Sequence, residues 1–219
     1  MARLYRAQAR IFDVTRVPIL LGRSRLPRFL APGAAVLEVG CGTGHNLRAL
    51  RSAVGPEGRV VGIECAPAMA RRARRRAGAG TEVYQAEYGA GIDLPGVAAL
   101  DAVVFSYSLS MIRRFERVLH QALRDLKPGG RLILLDFADS RWGWMRSLMR
   151  RSGVELGNAR ATSVCESFDR LDFEHFRAWG GLWEYYLLVA ETPPRRRPAS
   201  DPRRIRSRIR RLTGRSGRC

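Results

Sequence analysis

The stretch Val36–Leu47 constrains the fold of this chain most, because an apolar run leads into three glycines at alternate positions. Gly40, Gly42 and Gly44 predict a backbone turn free of side chains, and the pattern after them predicts a helix with open N–H groups at its start. Glu38 adds a carboxylate at the end of the preceding strand. These features predict a pocket for a ligand that carries both an amine and a carboxylate, and a tight turn that binds nothing is the alternative.

Alternation of strands and helices from residue 34 to residue 138 predicts an α/β fold, with a doubly wound, mostly parallel sheet between two layers of helices. The predicted strands are Ala35–Val39, Arg59–Glu64, Glu82–Ala86, Ala102–Ser106 and Arg131–Phe137, and the predicted helices are His45–Val54, Pro67–Ala77 and Arg113–Leu126. Continuous apolar runs such as Leu132–Leu135 are typical of strands buried on both faces. Ligands of such sheets lie outside the carboxyl ends of the strands.

Polar side chains stand at three of these strand ends. Glu64 ends the second strand, about twenty residues beyond the glycine turn, where a carboxylate can accept both hydroxyls of a ribose. Glu87 follows the third strand, and Ser106 and Tyr107 stand at the end of the fourth. A helix cap is the alternative for any one acid, but three polar ends beside a glycine turn predict a binding site.

Four segments resemble the motifs of the class I S-adenosylmethionine-dependent methyltransferases in order and spacing: Val36–Leu47, Val61–Ala70, Asp101–Ser108 and Leu126–Leu132. The resemblance implies that S-adenosylmethionine is the cofactor. Its methionine part would lie against the glycine turn with Glu38 near the amino end, its ribose at Glu64 and its adenine by Glu87. The implied cofactor-binding residues are Glu38, Gly40, Cys41, Gly42, Gly44, Glu64, Cys65, Glu87 and Ser106.

A nicotinamide-dependent alternative is rejected on chemical grounds. The glycine spacing differs from G-x-G-x-x-G, and the chain has neither a Tyr-x-x-x-Lys pair nor a phosphate-binding G-K-[ST] loop, since Lys127 is its one lysine.

Three units are predicted along the chain: an N-terminal helical lid (1–33), the S-adenosylmethionine-binding methyltransferase domain (34–192) and an arginine-rich tail (193–219). Within the domain, Phe173–Glu191 predicts a helix end and then a hairpin with its turn near Gly180, which would complete a seven-stranded sheet. Before it, one helix face is predicted to hold Trp142, Met145, Leu148 and Met149. That face packs on the core or, alternatively, lies at a membrane interface, which favours tryptophan and arginine.

The residues predicted to act on the methyl acceptor are Tyr107, His45 and Tyr5. By the resemblance, Tyr107 lies beside the transferred methyl group, where its hydroxyl or its ring could hold an amine or ammonium. His45 opens the helix after the glycine turn and is placed to contact the acceptor, unless it is a surface group. The Asn/Asp-Pro-Pro-Tyr motif of enzymes that methylate base amino groups is absent after the fourth strand, which argues against DNA as acceptor.

A second resemblance concerns the N-terminus. Tyr5–Arg16, followed by Leu20–Arg23, is similar to the opening of betaine-lipid N-methyltransferases, which methylate the amine of a diacylglyceryl-homoserine headgroup. The lid and acceptor residues that it implies are Tyr5, Phe12, Asp13 and Arg16. The predicted function is therefore N-methylation of a lipid headgroup amine. Methylation of a soluble metabolite and a degenerate fold that binds nucleic acid or membrane are the alternatives.

The net charge and the spacing of the cysteines limit the kinds of partner that this chain can have. The net charge is +19, and residues 195–219 contribute +10 of it through eleven arginines and one acid. Ile205, Ile209 and Leu212 follow helical spacing there, which fits an amphipathic helix on an anionic membrane or a disordered basic extension. Nucleic acid is the less favoured partner.

The four cysteines lack metal-ligand spacing, so no metal is expected. No apolar run approaches the roughly 18 residues of a membrane span, which predicts a cytoplasmic protein with peripheral contact at the inner membrane face.

Overall fold

A computed structural model describes residues 19–91, 95, 97 and 99–193, without the side chains of residues 170 and 171. The predictions that concern Tyr5, Phe12, Asp13 and Arg16 lie outside the described residues, as do most of the lid and nearly all of the arginine-rich tail.

The described chain alternates strands and helices as the sequence predicts. The strands are β1 (Ala35–Val39), β2 (Arg59–Ile63), β3 (Thr81–Tyr84), β4 (Leu100–Ser106), β5 (Leu126–Phe137), β6 (Arg170–Ala178) and β7 (Trp183–Glu191). The α-helices are α1 (Leu47–Val54), α2 (Pro67–Ala77), α3 (Phe115–Asp125), α4 (Gly143–Arg151) and α5 (Ala159–Ser167). Two 3-10 segments, Arg23–Phe29 and Leu109–Met111, lie before β1 and after β4.

The seven strands form one sheet in the order β3-β2-β1-β4-β5-β7-β6. The first five strands are parallel, and β7 runs antiparallel to both of its neighbours. The predicted doubly wound, seven-stranded fold is therefore confirmed. The chain winds outward from β1 to β3 and then returns to β4, so the strand order reverses between β1 and β4. Ligands of open α/β sheets bind at this switch point, outside the carboxyl ends of the strands.

The sheet is buried on both faces, which explains its continuous apolar strands. Successive residues of β1 point to opposite faces: Val36 packs in one core cluster and Leu37 in the other. The first cluster includes residues of α1, α2 and α4, and the second includes residues of α3 and α5. Helices thus cover both faces, and the carboxyl edge of the strands is left for a site.

The prediction of a helix end at Phe173 is wrong, because that residue lies in β6, the edge strand. Phe173 and Phe176 are three residues apart, a spacing that looks helical. In the strand this spacing places them on opposite faces, where Phe173 stacks on Tyr186 and Phe176 stacks on Tyr185. The hairpin turn at Gly180, where the backbone φ is 67°, is as predicted.

The four-residue face predicted for the helix after β5 is also wrong in part. Met145 and Met149 of α4 are buried, but Trp142 and Leu148 are 43% and 52% exposed. The helix therefore packs on the core through two methionines one turn apart and presents the other apolar side chains to solvent.

Gly44→Ala should destabilise the fold more than Gly33→Ala does. Both glycines have a left-handed backbone, with φ of 77° and 78°, so both alanines carry the same strain, about 1–2 kcal/mol. A Cβ at Gly44 would lie 2.9 Å from the Cα of Ala73 in α2, whereas a Cβ at Gly33 meets no atom within 4 Å. Urea denaturation of both variants measures the difference. Equal midpoints would show that the turn does not need this close approach.

Candidate active site

The three glycines of the turn after β1 have different surroundings: two pack against other elements and one faces open space. All three have positive φ, at 68°, 58° and 77° for Gly40, Gly42 and Gly44. A Cβ at Gly40 would lie 2.7 Å from the Cβ of Ser108, and one at Gly44 would press on Ala73. A Cβ at Gly42 meets nothing within 4 Å and would project into the cavity described below. Gly40 and Gly44 therefore bring elements together, while Gly42 keeps a surface bare.

Glu64 fixes this turn from the end of β2. Its Oε2 accepts a hydrogen bond from the Gly42 N–H at 2.9 Å, and its Oε1 accepts one from the Ala66 N–H at 2.8 Å. The residue is 7% exposed. Each carboxylate oxygen has a second lone pair, so Glu64 can hold the turn and still accept hydroxyl groups of a ligand.

Glu38 is a buried carboxylate at the end of β1. Its Oε1 accepts a hydrogen bond from Asn46 Nδ2 at 2.5 Å, and its Oε2 has no hydrogen-bond partner among the described residues. Burial raises the pKa of Glu38 to about 7 against the opposing effect of the Asn46 hydrogen bond. Burying a carboxylate oxygen without a hydrogen-bond partner costs folding free energy, and a ligand ammonium group would satisfy this oxygen.

A cavity of about 980 Å³ opens at the switch point of the sheet. Ten of the residues predicted for the site line it: Glu38, Gly40, Cys41, Gly42, His45, Glu64, Cys65, Glu87, Ser106 and Tyr107. Gly44 is absent from this wall, because it packs beneath the turn against α2. The buried Ser106 hydroxyl has no partner among the described residues, so it too is left for a ligand.

Tyr107 occupies a strained position directly after β4. Its φ is 54°, a left-handed value that is unusual for an aromatic residue, and it is 5% exposed. The hydroxyl donates a hydrogen bond to the Leu21 carbonyl at 2.7 Å, and the ring packs on Phe137 with centroids 4.6 Å apart. Burial raises the pKa of Tyr107 far above its ordinary value. The hydroxyl predicted to hold an amine is thus engaged with the segment before β1, and Tyr107 forms a fixed wall of the cavity.

Of the other predicted site residues, His45 borders the cavity and the two cysteines supply no activated thiol. His45 is exposed at the cavity in the turn before α1, which begins at Leu47 rather than at His45. Burial raises the pKa of the Cys41 thiol, and burial together with the Glu64 carboxylate raises that of Cys65 to about 11. Both thiols are therefore protonated at neutral pH, and neither is a nucleophile.

The far wall of the cavity depends on two buried charged residues that the sequence analysis missed. Asp136, in β5, accepts a hydrogen bond from the Ser110 N–H at 2.7 Å. Arg160, in α5, donates to the Leu109 carbonyl at 2.7 Å and is 3% exposed. Together they fix the segment Leu109–Met111. Asp136 was detectable as the one acid in an apolar strand, whereas Arg160 stands in a polar stretch that gives no signal.

At this far wall the lining of the cavity is apolar where it is buried and cationic where it is exposed to solvent. Met111, Ile112 and Val154 line its inner part. The arginines on the rim are Arg113, Arg114, Arg117 and Arg150, all of them exposed. None of the four makes an ion pair with a described residue.

Two further features of the described residues bear on the predictions. No group of three or more His, Cys, Asp and Glu side chains in this part of the chain is arranged to hold a metal ion. No helix within it combines the length and the apolar character that crossing a bilayer requires.

Comparison with known proteins places these residues in context. Residues 36–130 match the family model described as "Methyltransferase domain". Over 108 residues, the chain is 32% identical to demethylmenaquinone methyltransferase of Symbiobacterium thermophilum, which covers 48% of this chain and 43% of that protein. Over 195 residues, it is 25% identical to carboxy-S-adenosyl-L-methionine synthase of Yersinia pseudotuberculosis, which covers 74% and 71%.

A solved structure extends the likeness to most of the chain. The N-methyltransferase NodS from Bradyrhizobium japonicum, in complex with S-adenosyl-L-homocysteine, superposes with a TM-score of 0.61 at 18% identity and covers 83% of this chain and 88% of NodS. This likeness confirms the predicted methyltransferase fold. The chain spans less than half the length of demethylmenaquinone methyltransferase and of three further curated relatives with 33% to 36% identity.

Glu38→Gln should stabilise the ligand-free protein at alkaline pH. Because the folded-state pKa is raised from 4.5 to about 7, ionising Glu38 costs folding free energy, and the cost grows as pH rises from 4.5 and is complete above 7. Removing it should raise the free energy of unfolding at pH 8 by up to about 3 kcal/mol and leave little difference at pH 4 to 5. Denaturation at both pH values tests this, with the exposed Glu57→Gln as control. A variant less stable than wild type at pH 8 would contradict the argument.

Proposed function

We propose that this protein is an S-adenosylmethionine-dependent methyltransferase that acts on a small amphiphilic acceptor with an anionic group. The observation that carries the proposal is the unpartnered Glu38 oxygen beside a bare glycine turn at the switch point of the sheet. An amino acid end fits there, with its ammonium at Glu38 and its carboxylate towards the N-terminal end of α1. Glu64 follows the last residue of β2, the strand next to β1, and is suited to the ribose hydroxyls.

The fold alone does not decide which reaction the protein catalyses, but the segment that matches the methyltransferase family model reduces the possibilities. Residues 36–130 include Glu38, the glycine turn and Glu64, which are the groups that would bind the cofactor. A degenerate fold that serves only as a binding module would not need to keep Glu38 buried and partly unsatisfied, since that arrangement costs stability without a ligand. We therefore favour an enzyme over a binding module.

The residues of this chain would position the reactants rather than move protons. When bound, S-adenosylmethionine would supply a methyl group on a sulfonium. In one in-line step the acceptor nucleophile would form a bond to the methyl carbon as the carbon–sulfur bond breaks, with S-adenosylhomocysteine as the leaving group. Glu38 and Glu64 hold one reactant, and the rigid wall at Tyr107 excludes water from the space beyond it. The Tyr107 hydroxyl is engaged and both cysteine thiols are protonated, so none of these three groups is a ready base for the acceptor. An amine that arrives unprotonated needs none.

The rim suggests the class of acceptor. Arg113, Arg114 and Arg117 stand at the first turn of α3, the positive end of its dipole, where cations are unfavourable and an anion is stabilised. Arg150 adds a fourth guanidinium from α4. A phosphate or carboxylate on the acceptor would neutralise this cluster, and its apolar part would lie on Met111, Ile112 and Val154.

A lipid headgroup amine beside its phosphate or carboxylate is one member of this class, and we propose it as the finer identity of the acceptor. The apolar inner wall and the cationic rim both support it. A soluble anionic metabolite is the alternative. The betaine-lipid identity depends on Tyr5, Phe12, Asp13 and Arg16, which lie outside the described residues.

Gly42→Ala should weaken cofactor binding strongly, at about the same cost in stability as Gly33→Ala. Its Cβ would project into the cavity where the cofactor lies against the turn, while Gly33→Ala carries the same backbone strain and meets open space away from the cavity. We expect Gly42→Ala to weaken S-adenosylmethionine binding by about 100-fold or more, near 3 kcal/mol. Isothermal titration calorimetry measures the affinity. Equal affinities of the two variants for S-adenosylmethionine would show that the cofactor does not bind against this turn.

Arg113→Gln/Arg117→Gln should raise the KM for the acceptor by about tenfold or more and change cofactor affinity little, because two charge-assisted contacts to an anion are lost. Arg71→Gln/Arg75→Gln, on exposed positions of α2, makes the same change in charge as a control. The acceptor is first found by incubating the protein with labelled S-adenosylmethionine and either total lipid or a soluble extract, with mass analysis of products.

Each outcome of that assay decides one level of the proposal. Lipid species that gain methyl groups support the headgroup acceptor, and label confined to the soluble extract excludes it. No label in either extract, with S-adenosylmethionine still bound, would contradict methyl transfer to a small acceptor. An unchanged KM in the double variant would show that the rim arginines do not recognise the acceptor.

A further inference from the structure

Three of the four tryptophans of this chain are exposed and lie around one groove. Trp142, Trp144 and Trp179 are 43%, 58% and 64% exposed, whereas Trp183 is buried. The groove between them is lined by Arg141, Trp142, Trp144, Trp179, Gly180 and Leu182. Single exposed apolar residues are ordinary on protein surfaces, but a cluster of tryptophans marks an interaction site.

The cluster is built from two separate elements, which argues against chance exposure. Trp142 and Trp144 stand at the start of α4, and Trp179 lies at the tip of the β6–β7 hairpin. Trp179 has a φ of 46°, a conformation that is costly for a bulky aromatic residue. Leu148, one turn after Trp144 on the same helix, is 52% exposed and extends the apolar surface. We call Trp142, Trp144, Leu148 and Trp179 the tryptophan face.

The charge around the tryptophan face is positive. The Arg141 guanidinium lies 4.9 Å from the centre of the Trp142 ring, and Arg151 is exposed at the end of α4. The acids nearby are already paired: Asp139 with Arg146 at 2.9 Å, and Glu184 with Arg177 at 3.5 Å. The face therefore presents apolar rings together with two arginines, Arg141 and Arg151, that form no ion pair with a described residue.

We propose that the tryptophan face docks on an anionic membrane surface. Tryptophan rings are favoured at the level of lipid headgroups, since they bury an apolar body and keep their N–H groups in a polar layer. Leu148 would reach the acyl boundary. Arg141 and Arg151 would lie against lipid phosphates, where each cationic side chain contributes to binding. The net charge of +19 adds a general attraction to the same surface.

Two other occupants fit the observations less well. A second copy of this chain would bring two arginine-bordered faces of strongly cationic molecules together, and their repulsion opposes that contact. Single-stranded nucleic acid could stack bases on the tryptophans, but the aliphatic surface of Leu148 and Leu182 gains nothing from bases. A lipid surface uses the rings, the aliphatic side chains and the arginines.

Helix α4 connects the tryptophan face to the cavity. Trp144 lies in the face and Arg150 lies on the rim, six residues apart, or about 9 Å along a helix. A docked protein would hold the rim close to the lipid headgroups. The docking is nevertheless independent of the proposed methyl transfer, since vesicle binding can be measured without cofactor or acceptor.

The test uses the full chain and phosphatidylcholine vesicles with and without phosphatidylglycerol. We expect binding to vesicles that contain phosphatidylglycerol, measured by co-sedimentation. Trp144→Ser/Trp179→Asn should weaken this binding by about tenfold or more, and asparagine tolerates the left-handed backbone at residue 179. The near-ultraviolet circular dichroism of the buried Trp183 checks that the variant is folded.

A pair of charge variants separates the tryptophan face from general attraction. Arg141→Gln/Arg151→Gln should weaken binding more than Arg71→Gln/Arg75→Gln, which removes the same charge from α2 beside the opposite edge of the sheet. Wild-type affinity in the folded tryptophan variant would overturn the proposal. So would a tryptophan-dependent self-association, or a tryptophan-dependent binding of a single-stranded oligonucleotide, without a change in vesicle binding.

Discussion

The hydrogen bond from the Gly42 N–H to the Glu64 carboxylate joins the two halves of the cofactor side of this protein. It links the turn after β1 to the end of β2 across 22 residues, at a length of 2.9 Å. Parallel pairing of β1 with β2 brings these ends together, and the register aligns Val39 with Ile63, the last residues of the two strands. The shape of the turn, the open space at Gly42 and the orientation of Glu64 all depend on that alignment. A shift of register would turn Glu38 away from the site, because strand side chains alternate between faces.

On the other side of the cavity, after β4, the backbone is irregular, and buried polar side chains hold it in place where strand pairing does not. Tyr107, which has a left-handed backbone, is fixed by its bond to the Leu21 carbonyl, and Asp136 and Arg160 fix the segment after it. Burial raises the pKa of Asp136 to about 6, and the hydrogen bonds from Ser110 and Phe137 together with the nearby Arg160 oppose that rise. The cofactor side thus depends on strand register, and the acceptor side depends on a few buried contacts between distant parts of the chain.

This difference explains what could be predicted from the sequence. β1 and α2 have the predicted boundaries, since β1 ends at a glycine turn and α2 lies between Pro67 and Gly78. Glu38 and Glu64 were recognisable because they end apolar strands at a fixed distance from the glycines. Arg160 was not, because it is held in the fold by carbonyl groups of Leu109 and Ile112, about 50 residues away, and such contacts leave no periodic signal. The rim arginines were equally hidden in a chain where arginine is common.

The apolar pattern of helix α4 fits two predictions, a core helix and an interfacial helix, and parts of both are found in the structure. Met145 and Met149 pack on the core, Arg150 borders the cavity, and Trp144 and Leu148 face solvent. The sequence was compatible with a core helix or with an interfacial helix, and a single apolar face was assumed for either. A helix that meets core, cavity and surface around its circumference has no single apolar face, so its hydrophobic residues spread over a wider arc. The exposed part of that arc, formed by Trp144 and Leu148, is then an apolar surface on the helix that also borders the cavity, and it is this surface that the proposed membrane docking would bury.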